Sequence, residues 1–237
     1  MKGWKRESAR HALAAKGIGT GRKAIPAPTH WKRVTSTTYV TYVTDEGFHF
    51  TFEPIEDTLT IEETKDGYEA KYLTRDEEPP NPNEFGDESL FLVHYHRDFD
   101  IRKDDIIKED DARALYQGEK IPQEKDYWIF PVEAYIHSGV SLTLKSFKGM
   151  LPQGHYEFDT SRVGLVLVSK KEFKSNDKAQ KAAETLIETW NQYLSGDVYS
   201  CVKETYNKKK EQTDYDVVGG FYGYKYAIEE LKTFEGV

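Results

Sequence analysis

The run His94-Tyr95-His96-Arg97-Asp98 carries the residue types most able to do chemistry. In an extended strand, residues two apart point to the same face, so His94 and His96 could both ligate one metal ion. His137 is the third candidate nitrogen, and Asp98 or Asp100 could add a carboxylate if the fold brings them near. The plainer explanation is a pair of histidines hydrogen-bonded at a strand end that leads into a polar loop, and the pattern favours it. A second constellation, Tyr135-Ile136-His137-Ser138-Gly139, sets a histidine beside a serine. Adjacent strand residues face opposite ways, and no G-x-S-x-G elbow accompanies them, so a nucleophilic pair has little support. Cys201 lies among β-forming residues, where cysteine behaves as a small buried hydrophobe. Walker, dinucleotide and CxxC signatures are all missing, so no cofactor is expected and catalysis is disfavoured.

Charge supplies a different kind of candidate. The net charge is −8, but nine Lys and Arg stand against one Glu in residues 1–33, and twenty-two Asp and Glu against eight basic residues in 45–113. Lys2, Lys5, Arg6, Arg10, Lys16, Arg22 and Lys23 could lie along a nucleic-acid backbone, where each neutralised phosphate adds salt-sensitive affinity. The competing reading is incidental charge at a chain end. The acidic middle could imitate such a backbone to a host DNA-binding enzyme, although a solvated charged face is the ordinary explanation.

The elements that must position these groups read as α+β. VTSTTYVTYVT and FHFTFE flank Asp45-Glu46-Gly47, and DTLTIEE and YEAKYLT flank Lys65-Asp66-Gly67, which predicts two hairpins forming a meander of about four strands. SLFLVHYH, Tyr127–Ile136 and RVGLVLV read as further strands, Pro131 marking an edge or a bulge in the second. Residues 103–117 read as a helix. Ala179, Ala182, Ala183, Leu186, Ile187, Trp190, Tyr193 and Leu194 fall in steps of three and four, the spacing of one helical face. Ser175 or Asn176 is expected to cap that helix through its side chain, and Gly196 to end it. Two β-rich runs follow, Val198–Val202 and Val217–Tyr222, the second broken by Gly219, Gly220 and Gly223. Tyr222, Tyr224 and Tyr226 alternate there as a possible recognition edge, with aromatic core packing as the alternative.

These elements give an antiparallel or mixed sheet packed by one long amphipathic helix over about 176–195, preceded by a β-meander and a basic N-terminal arm. The expected domains are an arm over 1–33, a meander over 34–78 and a main α+β domain over 79–237. With 38% hydrophobic and 31% charged residues the chain is a folded protein with a well-solvated surface. One cysteine excludes an intrachain disulfide, and no stretch is apolar enough to span a bilayer. The expected setting is therefore the cytoplasm, with no membrane partner.

Six segments, in order, carry a resemblance. They are Asn81-Pro82-Asn83-Glu84-Phe85, His96-Arg97, Tyr135 to Val140, Arg162 to Val168, Tyr193 to Tyr199, and Gly220 to Tyr224. Over roughly residues 81–226 the chain resembles an uncharacterised family of phage and plasmid proteins. Phe85 stands where that family has tryptophan, and Asp98 where it has a second basic residue. The resemblance implies a mobile-element origin and a host-cell setting, and brings no catalytic residues. Separately, the His94–Asp98 spacing is similar to the His-x-His-x-Asp-His opening of metallo-β-lactamase-like hydrolases, with Phe99 in place of the last histidine. The leading expectation is a phage or mobile-element accessory protein that binds a host macromolecule, counter-defence being one role open to it. The alternatives are nucleic-acid binding by the arm and a metal-dependent hydrolase built on His94, His96, His137 and Asp98.

Overall fold

Strand alternation and turn chemistry account for the described strands of the first third of the chain. The computed structural model describes residues 32–35, 40–44, 46–55, 58–85, 89–94, 107–152 and 154–236. The arm residues Lys2, Lys5, Arg6, Arg10, Lys16, Arg22 and Lys23 lie outside these, as do His96, Asp98 and Asp100. Strands β1 (Lys32–Thr35), β2 (Val40–Val43) and β3 (His49–Phe52) form a three-stranded antiparallel sheet. The run expected as one strand from Val34 is thus two strands paired with each other. Strands β4 (Thr60–Glu63) and β5 (Gly67–Arg75) follow, joined at the Asp66-Gly67 turn, where the Gly67 N–H donates to Thr64 Oγ1. They enter a different sheet, so the two hairpins do not make one meander. Val40, Tyr42, Phe50 and Phe52 of the first sheet instead pack on Leu59, Ile61, Ala70 and Tyr72.

Residues 80–197 form a unit of their own. It contains helix α1 (Pro82–Phe85), strand β6 (Leu90–His94), helix α2 (Glu109–Tyr116), a single 3-10 turn (Pro122–Lys125) and strands β7 (Tyr127–Ile136) and β8 (Val140–Thr143). Helix α3 (His155–Asp159), strand β9 (Thr160–Ser169) and helix α4 (Asn176–Ser195) complete it. The sheet order is β6-β9-β7-β8, with every described pair antiparallel. Strand β9 is buried from Val163 to Val168 because both faces are covered. Val166 and Val168 meet Ala179, Ala183, Leu186, Ile187 and Trp190 of α4, while Leu165 and Leu167 meet Ile107, Ala112 and Ile121. Burying each large side chain in these clusters contributes about 1.5–3 kcal/mol. Ser175 has the extended backbone of an N-cap but makes no side-chain cap bond, contrary to expectation. At the other end Gly196 takes φ +68, and the Asp197 N–H reaches the Gln192 carbonyl, closing α4. Pro131 pairs with Leu165 at a point of β7 that β8 does not reach, one residue before a register shift at Val132/Glu133. A missing N–H costs nothing there.

After Asp197 the chain returns to the first unit. Strand β10 (Val198–Asn207) pairs with β5 and with β11 (Gln212–Tyr222), giving the order β11-β10-β5-β4, and helix α5 (Tyr224–Thr233) follows. Residues 198–237 therefore belong with 1–79, not with 79–197 as expected. The architecture is α+β with antiparallel sheets. No helix among the described residues is long and apolar enough to cross a membrane.

Candidate functional site

The site is built where β7 ends and β9 begins. Tyr135 pairs with Thr160 across these strands, so the residue two past Tyr135 and the residue just before Thr160 lie close together. Those are His137 and Asp159. Ala134 and Ile136 face the α4 side of the sheet, so Tyr135 and His137 face the other way. The chain reaches Asp159 through the short helix α3, in which His155 and Asp159 are four residues apart and share one helical face. Gly154, at φ +88, turns the chain into that helix, a backbone conformation that would strain a side-chain-bearing residue.

Four side chains converge as a result. Tyr135 Oη lies 3.2 Å from His155 Nδ1, His155 Nδ1 lies 2.8 Å from Asp159 Oδ2, and Asp159 Oδ2 lies 3.4 Å from His137 Nδ1. The ligating atoms of His137, His155 and Asp159 all fall within 4.8 Å of one another. The rings support one another: His137 and His155 meet edge-on with centroids 5.0 Å apart, and Tyr135 runs near-parallel to His137 and against Phe147. The loop before α3 is tied down on both sides. The Phe147 N–H donates to Glu133 Oε2 (2.9 Å), and Ser146 Oγ donates to Tyr156 Oη (3.3 Å). Side-chain exposure is 55% for His137, 33% for His155 and 24% for Asp159, so the site is open to water on one side.

The expected metal set does not assemble. His94 is 2% exposed and sits in β6 opposite Gly164, which itself stands opposite Val132. His137 lies five residues beyond Val132, just past the end of β7, on the order of 15 Å away at the usual strand rise and on the side opposite the His94 face. His94 and His137 therefore cannot share an ion with bonds of about 2 Å. His94 is a packed strand residue, and a Cβ on Gly164 would come within 2.9 Å of its own Cα and Cβ. His155 and Asp159 were the residues missed. Their signal, His-x-x-x-Asp between a glycine and a strand, is carried by a five-residue helix too short to show a periodic pattern.

The tyrosine edge is also revised. Tyr222 is the last residue of β11, but Tyr224 opens α5 and its ring packs on Tyr199 at 5.5 Å. The glycines mark a bulge: Ser200 opposes both Gly219 and Gly220, and Asp76 Oδ2 accepts the Gly220 N–H at 2.7 Å. A Cβ at Gly219 would lie 2.3 Å from that same carboxylate oxygen. Ser138 adjoins His137 in a tight turn, with the His137 N–H donating to the Gly139 carbonyl. Cys201 is fully buried in the other unit. Compared with known proteins, the chain matches no family model, no curated protein and no solved structure.

Proposed function

We propose that this chain binds a transition-metal ion through His137, His155 and Asp159 and uses the solvent-facing side of that ion to hold and polarise an oxygen ligand, as metal-dependent hydrolases do. The observation that carries the reading is the convergence of two imidazoles and one carboxylate within 4.8 Å, with their outer side open to water. Two histidines and one carboxylate are a donor set used for catalytic zinc and for non-haem iron, both of which keep positions open for water or substrate. Tetrahedral donors at about 2.0–2.2 Å from an ion stand roughly 3.3–3.6 Å apart. The 3.4 Å separation of Asp159 and His137 meets this, and the 2.8 Å contact to His155 widens with a small side-chain rotation. The reading keeps the hydrolase chemistry expected of the histidines but moves its ligands.

Titration of the metal-free protein with Co(II), followed by its visible spectrum, tests it. One ion per chain is expected. His137→Ala and Asp159→Asn should each lower the affinity by more than about 100-fold, beyond the 10–100-fold that loss of a mere supporting partner costs. His94→Gln should leave the affinity unchanged. Equal Co(II) affinity in all three variants would refute the site.

A second reading keeps the accessory protein of a phage or mobile element that binds a host macromolecule. On β11, Tyr215 and Val217 are 54% and 49% exposed, beside Asp214, Asp216 and the buried Glu204. Glu204 and Gln212–Tyr215 line an open depression of about 570 Å³. Its acidity favours a basic protein partner over nucleic acid. Tyr215→Ser should abolish capture of that partner; unchanged capture would sink this reading. Nucleic-acid binding by the arm has its own test, since removal of residues 1–25 should abolish a salt-sensitive mobility shift.

A further inference from the structure

Tyr135 is the one member of the converging group that the metal reading above leaves without a task. Its hydroxyl oxygen lies 3.2 Å from His155 Nδ1, a hydrogen-bond distance that is also close to the separation of two donors on one ion. Its ring is held in place by contacts with His137, His155 and Phe147. Strand β7 also fixes it from the backbone, because Tyr135 pairs with both Ser141 and Thr160. Without a metal, Tyr135 and Asp159 stand around a single ring hydrogen. His155 Nδ1 carries at most one hydrogen, Asp159 Oδ2 can only accept, and at 2.8 Å the carboxylate takes that hydrogen. The phenol oxygen, at 3.2 Å, can only share that hydrogen, with its own turned elsewhere. A cation bound among these atoms would take the place of that hydrogen, because each of them carries a lone pair able to coordinate.

We infer that Tyr135 is the fourth ligand and that, as an anionic oxygen donor, it makes the site selective for ferric iron over zinc. The inference rests on the metal reading above. The donor set becomes two imidazole nitrogens, one carboxylate oxygen and one phenolate oxygen, with charge −2 from the two oxygen donors. Hard anionic oxygens suit a hard trivalent ion, whereas imidazole also suits zinc, copper and nickel. On binding, the Tyr135 O–H bond breaks and its proton passes to solvent, His155 gives up its Nδ1 hydrogen to solvent as Nε2 takes one up, and metal–oxygen and metal–nitrogen bonds form; no electron is transferred. The remaining coordination positions face the exposed side of His137, where water or an anionic oxygen of a substrate completes the shell.

The test loads the full-length, metal-free protein with Fe(III) and, separately, with Co(II). A tyrosinate bound to Fe(III) absorbs visible light by charge transfer, a signature that no merely structural tyrosine produces. The wild-type protein should turn coloured with Fe(III). Tyr135→Phe should lose the colour and weaken Fe(III) binding by more than about tenfold, while Co(II) still binds through His137, His155 and Asp159. Tyr156→Phe, at the neighbouring tyrosine of helix α3, should stay coloured. Resonance Raman on the unmodified protein covers the case in which Tyr135→Phe does not fold: tyrosinate modes enhanced within the band support the inference, and their absence overturns it. A protein that binds Co(II) but stays colourless with Fe(III), or a Tyr135→Phe variant that remains coloured, overturns the tyrosine ligand and leaves the three-residue site standing. A protein that binds neither ion overturns both.

Discussion

At the scale of single residues, two buried groups have checkable chemistry. Cys201 is fully buried between β5 and β11, and burial first, then the nearby Glu230 carboxylate, push its thiol up to about 11. The folded protein should therefore resist iodoacetamide at pH 8 and react only when denatured. An unfolded thiol ionises near 8.5, so between about pH 9 and 11 the unfolded chain holds fewer protons than the native one. Stability falls as pH rises through that window. Cys201→Ala should flatten the fall in urea midpoint over those pH values. Glu204 is 6% exposed, and its two carboxylate oxygens accept the hydroxyls of Tyr72 (2.6 Å) and Tyr206. Burial, reinforced by that carboxylate, holds both phenols well above the usual tyrosine range, so they stay protonated donors. Glu204→Gln keeps the volume but turns an NH₂ toward one phenol. It should cost about 1–3 kcal/mol in urea unfolding, and a change within error would contradict the pairing.

At the scale of elements, the sheet of the 80–197 unit shows how an exposed strand edge is closed without another strand. Asn83 donates from Nδ2 to the Leu92 carbonyl (2.8 Å) and accepts the Leu92 N–H at Oδ1 (2.9 Å), on edge strand β6. Asn191 of α4 does the same for Leu142 on the opposite edge strand β8, at 3.0 and 2.7 Å. Each side-chain amide thus copies the backbone of a neighbouring strand and blocks pairing with another chain. Asn83 lies in the Asn-Pro-Asn-Glu-Phe segment, to which it gives a structural purpose. Asn191→Ala should cost about 1–3 kcal/mol by orphaning two backbone groups. It should also raise aggregation on light scattering, whereas Gln192→Ala, one residue on, should do neither.

At the scale of the molecule, one unit is inserted into the other. Residues 80–197 leave the first unit after β5 and return at β10, two strands that lie side by side. Arg75 pairs with Tyr199, and the Asp76 N–H reaches the Val198 carbonyl at 3.1 Å, so the two ends of the inserted segment are held together. An insertion of that kind folds as an independent piece when its own core is complete. That core is two-sided here, with α4 on one face of the sheet and the Ile107–Ile121 segment on the other. A fragment of residues 80–197 should therefore unfold cooperatively and bind Co(II) as the whole chain does. The piece 1–79 alone, lacking β10 and β11, should not fold. A fragment 80–197 without a cooperative transition would contradict the division.

The sequence by itself determined what depends on near neighbours. The stripe from Ala179 to Trp190 sets one helical face, the Asp66-Gly67 turn sets a hairpin, and the unbroken Val163–Val168 run marks a strand covered on both sides. Steps of three and four, a turn dipeptide and an apolar run are all properties of a few consecutive residues. Only the tertiary structure decided which strands pair and which side chains meet. β10 joins a strand 132 residues earlier at Tyr72 and Glu204, so residues 198–237 leave the helix that precedes them. Likewise His94 and His137, similar in text, lie on opposite faces of one sheet. His137 gains His155 and Asp159 through a strand register, Tyr135 against Thr160, that no local pattern contains. Long-range pairing is selected by the burial of whole faces, and burial is a property of the assembled sheet rather than of any segment within it.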